Sequence, residues 1–131
     1  MSRHVPVRLK REIRERAQQR CEYCLVHERD AAFSHEPDHV ISRRHGGETT
    51  PLNLAWSCFD CNRLKGSDLS SIDLETGRIV RLFNPRRDNW HKHFRLRQGR
   101  IIPLTASGRA TEYLLQFNRE DAVVSRSRPT I

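Results

Sequence analysis

The chain has 131 residues, 31% charged and 36% hydrophobic, and carries a formal net charge of +8 at pH 7. That length fits one domain with a small core, and small cores usually need a metal, disulfides or a partner chain to hold them. The charge points to an anionic polymer or surface as partner, and no stretch approaches the roughly 20 apolar residues that would span a membrane.

Arg far outnumbers Lys, and the planar guanidinium suits phosphate oxygens better than a point charge does. Met1–Lys10 has no apolar run, so no secretory leader is expected. The expected compartment is the cytoplasm, where thiols stay reduced.

In chain order, Met1–Pro6 reads as a loose leader. Val7–Gln19 reads as a helix, because Leu9, Ile13 and Ala17 recur every four residues. Its other faces hold Arg8, Lys10, Arg11, Arg14 and Arg16, a phosphate-facing surface or a solvated one. Glu12 and Glu15 are placed to pair with Arg16 and Arg11. Phe33–Ile41 holds a strand confined to an edge by Pro37. Ser42–Asn53, with Gly46, Gly47 and Pro51, is a loop. Leu54–Cys58 suits a second strand, with Trp56 in the core. Asp60 is a candidate cap for a short helix over Cys61–Lys65 that stops at Gly66. Gly77 marks a turn, Ile79–Phe83 and Ile101–Leu104 have strand character, and Thr105–Phe117 reads as a helix with Tyr113, Leu114 and Phe117 on one face. The tail after Asp121 is polar, basic and expected to fray.

Cys21/Cys24 and Cys58/Cys61 form two C-x-x-C pairs. In a reduced compartment two such knuckles read as a tetrahedral four-cysteine site for structural Zn2+. Two disulfides or redox chemistry is the alternative, but redox C-x-x-C motifs usually come singly on a thioredoxin-like pattern, which is absent here. Residues 25–57 lie between the pairs, so the metal closes a long insert and substitutes for missing core.

That insert holds Asp38-His39, Gly46-Gly47 and Asn53, and Asn62 follows in the second knuckle. A strand–loop–strand–helix unit brings these four side chains to one rim. Carboxylate and amide oxygens are hard ligands suited to Mg2+ or Mn2+. Histidine, with an ordinary pKa near ~6.5, is fitted to take a proton from water near neutral pH.

The order C-x-x-C, Asp-His, Gly-Gly, Asn-Leu, C-x-x-C-Asn and Lys-Gly resembles the HNH endonuclease family over roughly Arg16–Ser67. Leu82-Phe83-Asn84-Pro85-Arg86, Trp90, His93-Phe94 and Gly108-Arg109-Ala110-Thr111 look like the tail of a bacterial HNH subgroup. The resemblance implies an α+β fold: a ββα-metal motif with an N-terminal helix, a structural four-cysteine zinc site and a small C-terminal strand/helix extension. It implies one domain over residues 1–131, with a zinc and ββα-metal core at about 16–67 and the extension at about 68–131. It also implies roles. His39 would be the general base and Asn53 the central asparagine that braces the loop. Asp38 and Asn62 would hold one catalytic divalent ion, Mg2+ or Mn2+. Since Asn62 stands where the family often has histidine, the site is an H-N-N variant. The implied reaction is hydrolysis of a DNA phosphodiester to 5′-phosphate and 3′-hydroxyl ends.

Arg43, Arg44 and His45 after the base, and Arg63 and Lys65 beside Asn62, are candidate DNA contacts. His35 shares a strand face with His39 through its even offset, whereas His91 and His93 read as packing beside Trp90 and Phe94. The competing function is a zinc-stabilised DNA-binding module without catalysis, which has no need of a base beside hard ligands. The sequence leaves open whether two chains act as a homodimer.

Overall fold

The computed structural model describes residues 5–128, so the first four of the six leader residues lie outside it. The chain forms helix α1 (Val7–Arg16), strands β1 (Glu36–His39) and β2 (Leu54–Ser57), and helix α2 (Phe59–Lys65). Strands β3 (Ser70–Ile72) and β4 (Ile79–Arg81) follow. Next come α3 (Trp90–His93), β5 (Phe94–Arg97), β6 (Arg100–Pro103), α4 (Ala106–Leu114) and α5 (Glu120–Ser127). The fold is mixed α+β, and its strands pair antiparallel as β1–β2, β3–β4 and β5–β6.

Helix α1 uses the predicted stripe. Ile13 is fully buried against Leu54 and Trp56, with Leu9 and Ala17 beside it. Its cations turn largely onto the protein itself. Arg14 pairs with Glu28 at 2.9 Å and Lys10 with Glu36 at 3.5 Å. Arg16 reaches Glu22 and the Leu54 carbonyl rather than Glu12. The helix ends at Arg16, short of the predicted Gln19, because Gln18 and Gln19 adopt positive φ.

Strand β1 pairs with β2 in a register that sets Pro37 opposite Trp56 and His39 opposite Leu54. Trp56 is core, as expected, at 2% exposure. Glu22 accepts from its backbone N–H and Glu28 from its indole N–H. Helix α2 begins two residues earlier than predicted. Cys58, not Asp60, is its cap: the Cys58 sulfur accepts from the Cys61 N–H.

The last third holds elements that periodicity did not reveal: β3, α3 and β5. Their segments are too short, and too exposed, to carry an apolar pattern. The predicted apolar face of the 105–117 segment is also corrected. Tyr113 is 64% exposed, whereas Leu115 and Phe117 are buried. The tail does not fray over residues 120–127 but forms α5, and Arg126 donates to the carbonyls of Cys24, Gly99 and Phe117. The tail-like motif residues turn out to be fasteners. Thr111 accepts from the Phe83 N–H at 2.8 Å, and Trp90 donates to the Tyr23 carbonyl at 2.9 Å. Arg109 forks onto Asp73, and that contact holds the Asp73 carboxyl well below the usual carboxylate range. Gly108 lies so close to the His93 carbonyl that a Cβ would sit 2.5 Å from its oxygen.

Candidate active site and metal centre

The two knuckles meet. The sulfurs of Cys21, Cys24, Cys58 and Cys61 all lie within 4.8 Å of one another, and all four residues are buried. Each knuckle has the same local geometry. The first sulfur accepts from the backbone N–H three residues on, at 3.4 Å in both. That is the physical content of the C-x-x-C spacing: the turn that pairs N–H with sulfur also aims the second thiol at the same point.

The donor set fits a tetrahedral thiophilic ion. Cys24 and Cys58 sulfurs stand 3.6 Å apart, far too long for the ~2.05 Å of a disulfide. It is close to the roughly 3.8 Å edge of a tetrahedron with ~2.3 Å metal–sulfur bonds. Burial pushes the Cys21 and Cys61 thiols up, whereas bonds with the three neighbouring sulfurs hold Cys58 low. Buried thiolates this close repel one another, and a central dication is the ordinary remedy. The quartet is consistent with a zinc site. The C-terminal extension closes over it. Arg119, anchored by Asp60 at 3.3 Å, brings its guanidinium 3.8 Å from the Cys58 sulfur.

The second centre is an open concavity of about 750 Å³ against β1 and α2. Asp38, His39 and Asn62 all line it, together with Arg43, Arg44, Arg63 and Phe59. The structure therefore brings together three of the four residues expected on one rim. Asn53 stands apart, in the turn Pro51–Asn53 that ends the loop before β2. Its amide donates to the carbonyls of Ile41 and Glu48, both at 2.9 Å, and its oxygen accepts from the Ile41 N–H. These bonds close the loop that follows His39. Gly47 is required there, since a Cβ would fall 1.6 Å from the Ile41 oxygen and 2.8 Å from the Asn53 amide nitrogen.

His39 is half-buried, and its Nε2 lies 2.9 Å from the Thr49 hydroxyl. Asp38 is 4% exposed. Its Oδ2 accepts from the Tyr23 hydroxyl at 2.6 Å and lies 3.2 Å from the Lys65 ammonium. Its Oδ1 has a longer contact of 3.5 Å to Lys65. Lys65, expected at the DNA surface, is instead 3% exposed and also donates to the His39 carbonyl. A charge placed between two buried acceptors stays with them, so its placement in the fold differs from that of the other basic candidates. Arg43, Arg44, His45 and Arg63 are exposed or half-exposed, although His45 is not on the concavity wall. His35 is buried beneath Trp56 with Nε2 on the Val26 carbonyl.

The model of the HNH endonuclease family matches residues 21–68. That segment is similar to the HNH family. The match takes in both knuckles, β1, the Asn53 loop, β2 and α2, which together make up the site just described. It covers less than half of the chain. No curated protein and no solved structure matches the chain. Similarity of this segment to a family of endonucleases suggests nuclease-type or nucleic-acid-binding function. Among the described residues, no helix is long and apolar enough to cross a membrane.

Sequence reasoning missed two residues of the candidate site and gave a third, Lys65, a different place. Thr49 partners His39, Tyr23 partners Asp38, and Lys65 balances Asp38 from inside. Tyr23 occupies a variable position of a knuckle and Thr49 a polar loop, so neither carried a signal. Burial raises the Asp38 carboxyl, and Lys65 with the Tyr23 hydrogen bond pulls it back. A carboxyl raised on folding binds its proton more tightly when folded, so its contribution to stability falls as pH rises from ~3.9 through the folded value. Lys65→Met removes the countercharge and is expected to destabilise the protein by about 3–5 kcal/mol at neutral pH. The deficit should shrink as pH is lowered toward the unfolded carboxylate value. Melting temperatures of both proteins across that range measure it, and a deficit independent of pH would contradict the pairing.

Proposed function

We propose that the chain is a metal-dependent HNH endonuclease that hydrolyses DNA phosphodiester bonds. The observation that carries this reading is the shared concavity, in which a histidine, a carboxylate and an amide face one space rimmed by Arg43, Arg44 and Arg63. A phosphate entering it would meet cations at the rim and the histidine inside. His39 would take the proton of the attacking water, and the Thr49 hydroxyl holds its ring. Asn53 fixes the loop that follows. Asp38 and Asn62 are hard oxygen donors that fit Mg2+ or Mn2+. Tyr23 and Lys65 clamp Asp38 through Oδ2 and leave Oδ1 the less engaged oxygen. A divalent ion bound there would stabilise the charge that develops on the phosphate and the leaving 3′ oxygen. The four cysteines would hold structural zinc and keep β1, β2 and α2 in register with the N-terminal segment.

One observation favours the second reading, a zinc-stabilised DNA-binding module without catalysis. The Lys65 ammonium, 3.2 Å from the Asp38 carboxylate, opposes a second cation there. Plasmid DNA separates the two. With Mg2+ or Mn2+ the zinc-loaded protein is expected to nick or linearise it, leaving ends that DNA ligase reseals. Retention of plasmid on the protein with no cleavage under either ion would establish the binding module instead.

A further inference from the structure

Three of the five phenylalanines, Phe83, Phe94 and Phe117, are at most 2% exposed. The other two are exposed and in contact with each other. Phe33 is 62% and Phe59 44% exposed, with ring centroids 4.8 Å apart at an interplanar angle of 38°. A small, highly charged chain that buries its other phenylalanines has left two rings in water, side by side.

Their place is specific. Phe59 opens α2, the helix that also carries Asn62 and Arg63, and it lines the concavity of Asp38 and His39. The Arg63 guanidinium carbon is 5.8 Å from the Phe59 ring centroid. Phe33 lines a neighbouring concavity of about 360 Å³ that also holds Lys10, Arg14 and His35. The aromatic pair is thus the ridge between the arginine-rimmed hollow and a second one in which Glu28 accompanies Lys10 and Arg14. His35, 1% exposed, lines the second hollow and has a buried Nδ1 with no hydrogen-bond partner.

We infer that the Phe33–Phe59 ridge is a stacking platform for an unpaired base, so that the preferred substrate is single-stranded DNA or a duplex with unpaired nucleotides beside the cut. The substrate part rests on the endonuclease reading; the stacking part does not. Phenylalanine has no group to read a base edge, but it stacks on any base whose face is free. A base inside a duplex has both faces covered. Rings alternating with cations are the arrangement that binds single strands without sequence preference. Arg43, Arg44 and Arg63 would track phosphates on the catalytic side of the ridge. Lys10 and Arg14, each already facing one carboxylate, would supply a weaker field on the far side.

The test uses the full zinc-loaded chain carrying His39→Ala, so that binding is read without cleavage. Anisotropy is measured with a single-stranded oligonucleotide and its matched duplex, and 2-aminopurine in the single strand reports stacking. Phe33→Leu/Phe59→Leu keeps apolar bulk and removes the rings, and Phe59→Tyr keeps a ring. The double variant is expected to lose at least about fivefold in single-strand affinity, with the 2-aminopurine quench. Duplex affinity should be unchanged, and Phe59→Tyr should bind like the parent. Equal losses on both DNAs, or a change in oligomeric state with DNA binding intact, would overturn the platform. In the His39 protein, cleavage of single-stranded over duplex DNA should fall in the same ratio on removing the rings. Absence of cleavage on every DNA would instead defeat the endonuclease reading and leave the stacking result standing.

Discussion

His39→Ala is expected to lower DNA cleavage by about 10²–10⁴-fold, the usual worth of a positioned general base, while DNA binding and melting temperature stay near the parent values. The side chain is half-buried at the end of β1, and its ring meets the Thr49 hydroxyl. Truncating it leaves the β1–β2 ladder and the Asn53 brace in place, because both run through other atoms. Losing the Thr49 hydrogen bond is expected to cost about 0.5–1.5 kcal/mol, a shift of only a few degrees in melting temperature. A rate constant for plasmid cleavage and a thermal melt on the same preparation make the comparison. Undiminished cleavage in the variant would remove His39 from the mechanism.

Stripping the metal from the four cysteines should have the larger structural effect. The quartet sits inside the main core, in contact with the cluster that includes Phe83, Phe94 and Phe117. It therefore joins the HNH segment to the extension. Structural zinc contributes on the order of 10–16 kcal/mol in zinc-finger peptides, as much as or more than the ~5–15 kcal/mol net stability of a typical domain. Cys58→Ser, or a strong chelator, is expected to abolish the cooperative melt and near-ultraviolet circular dichroism. Arg119 and Arg126 would lose their anchorage at the same time, since Arg119 faces the Cys58 sulfur and Arg126 the Cys24 carbonyl. Metal analysis of the intact protein should return about one zinc per chain. A zinc-free chain that still melted cooperatively would show that packing alone holds the fold.

What could be read from the sequence follows from the range of each interaction. C-x-x-C is a local device, in which one turn pairs a sulfur with the N–H three residues on, so two knuckles were readable as one metal site. The β1–loop–β2–α2 order was readable for the same reason. Pro37, Gly46–Gly47 and Gly66 punctuate it, and the loop's Gly47 answers a steric demand only a few residues away.

The feature least visible beforehand was Lys65. Beside Asn62 and Arg63 it reads as another surface cation, and only the packing of α2 on β1 turns its ammonium inward to Asp38. The Phe33–Phe59 contact likewise joins a connection before β1 to the first residue of α2. In the extension, Arg109 on Asp73 and Thr111 on the Phe83 N–H link residues 28 or more apart. The sequence alone determined the chemistry available here: four thiols that gather, a histidine beside hard oxygen donors, and an excess of arginine. The tertiary structure decided which charges face solvent and which cancel one another in the interior. That choice depends on burial and partner distance, and neither exists until distant segments have packed.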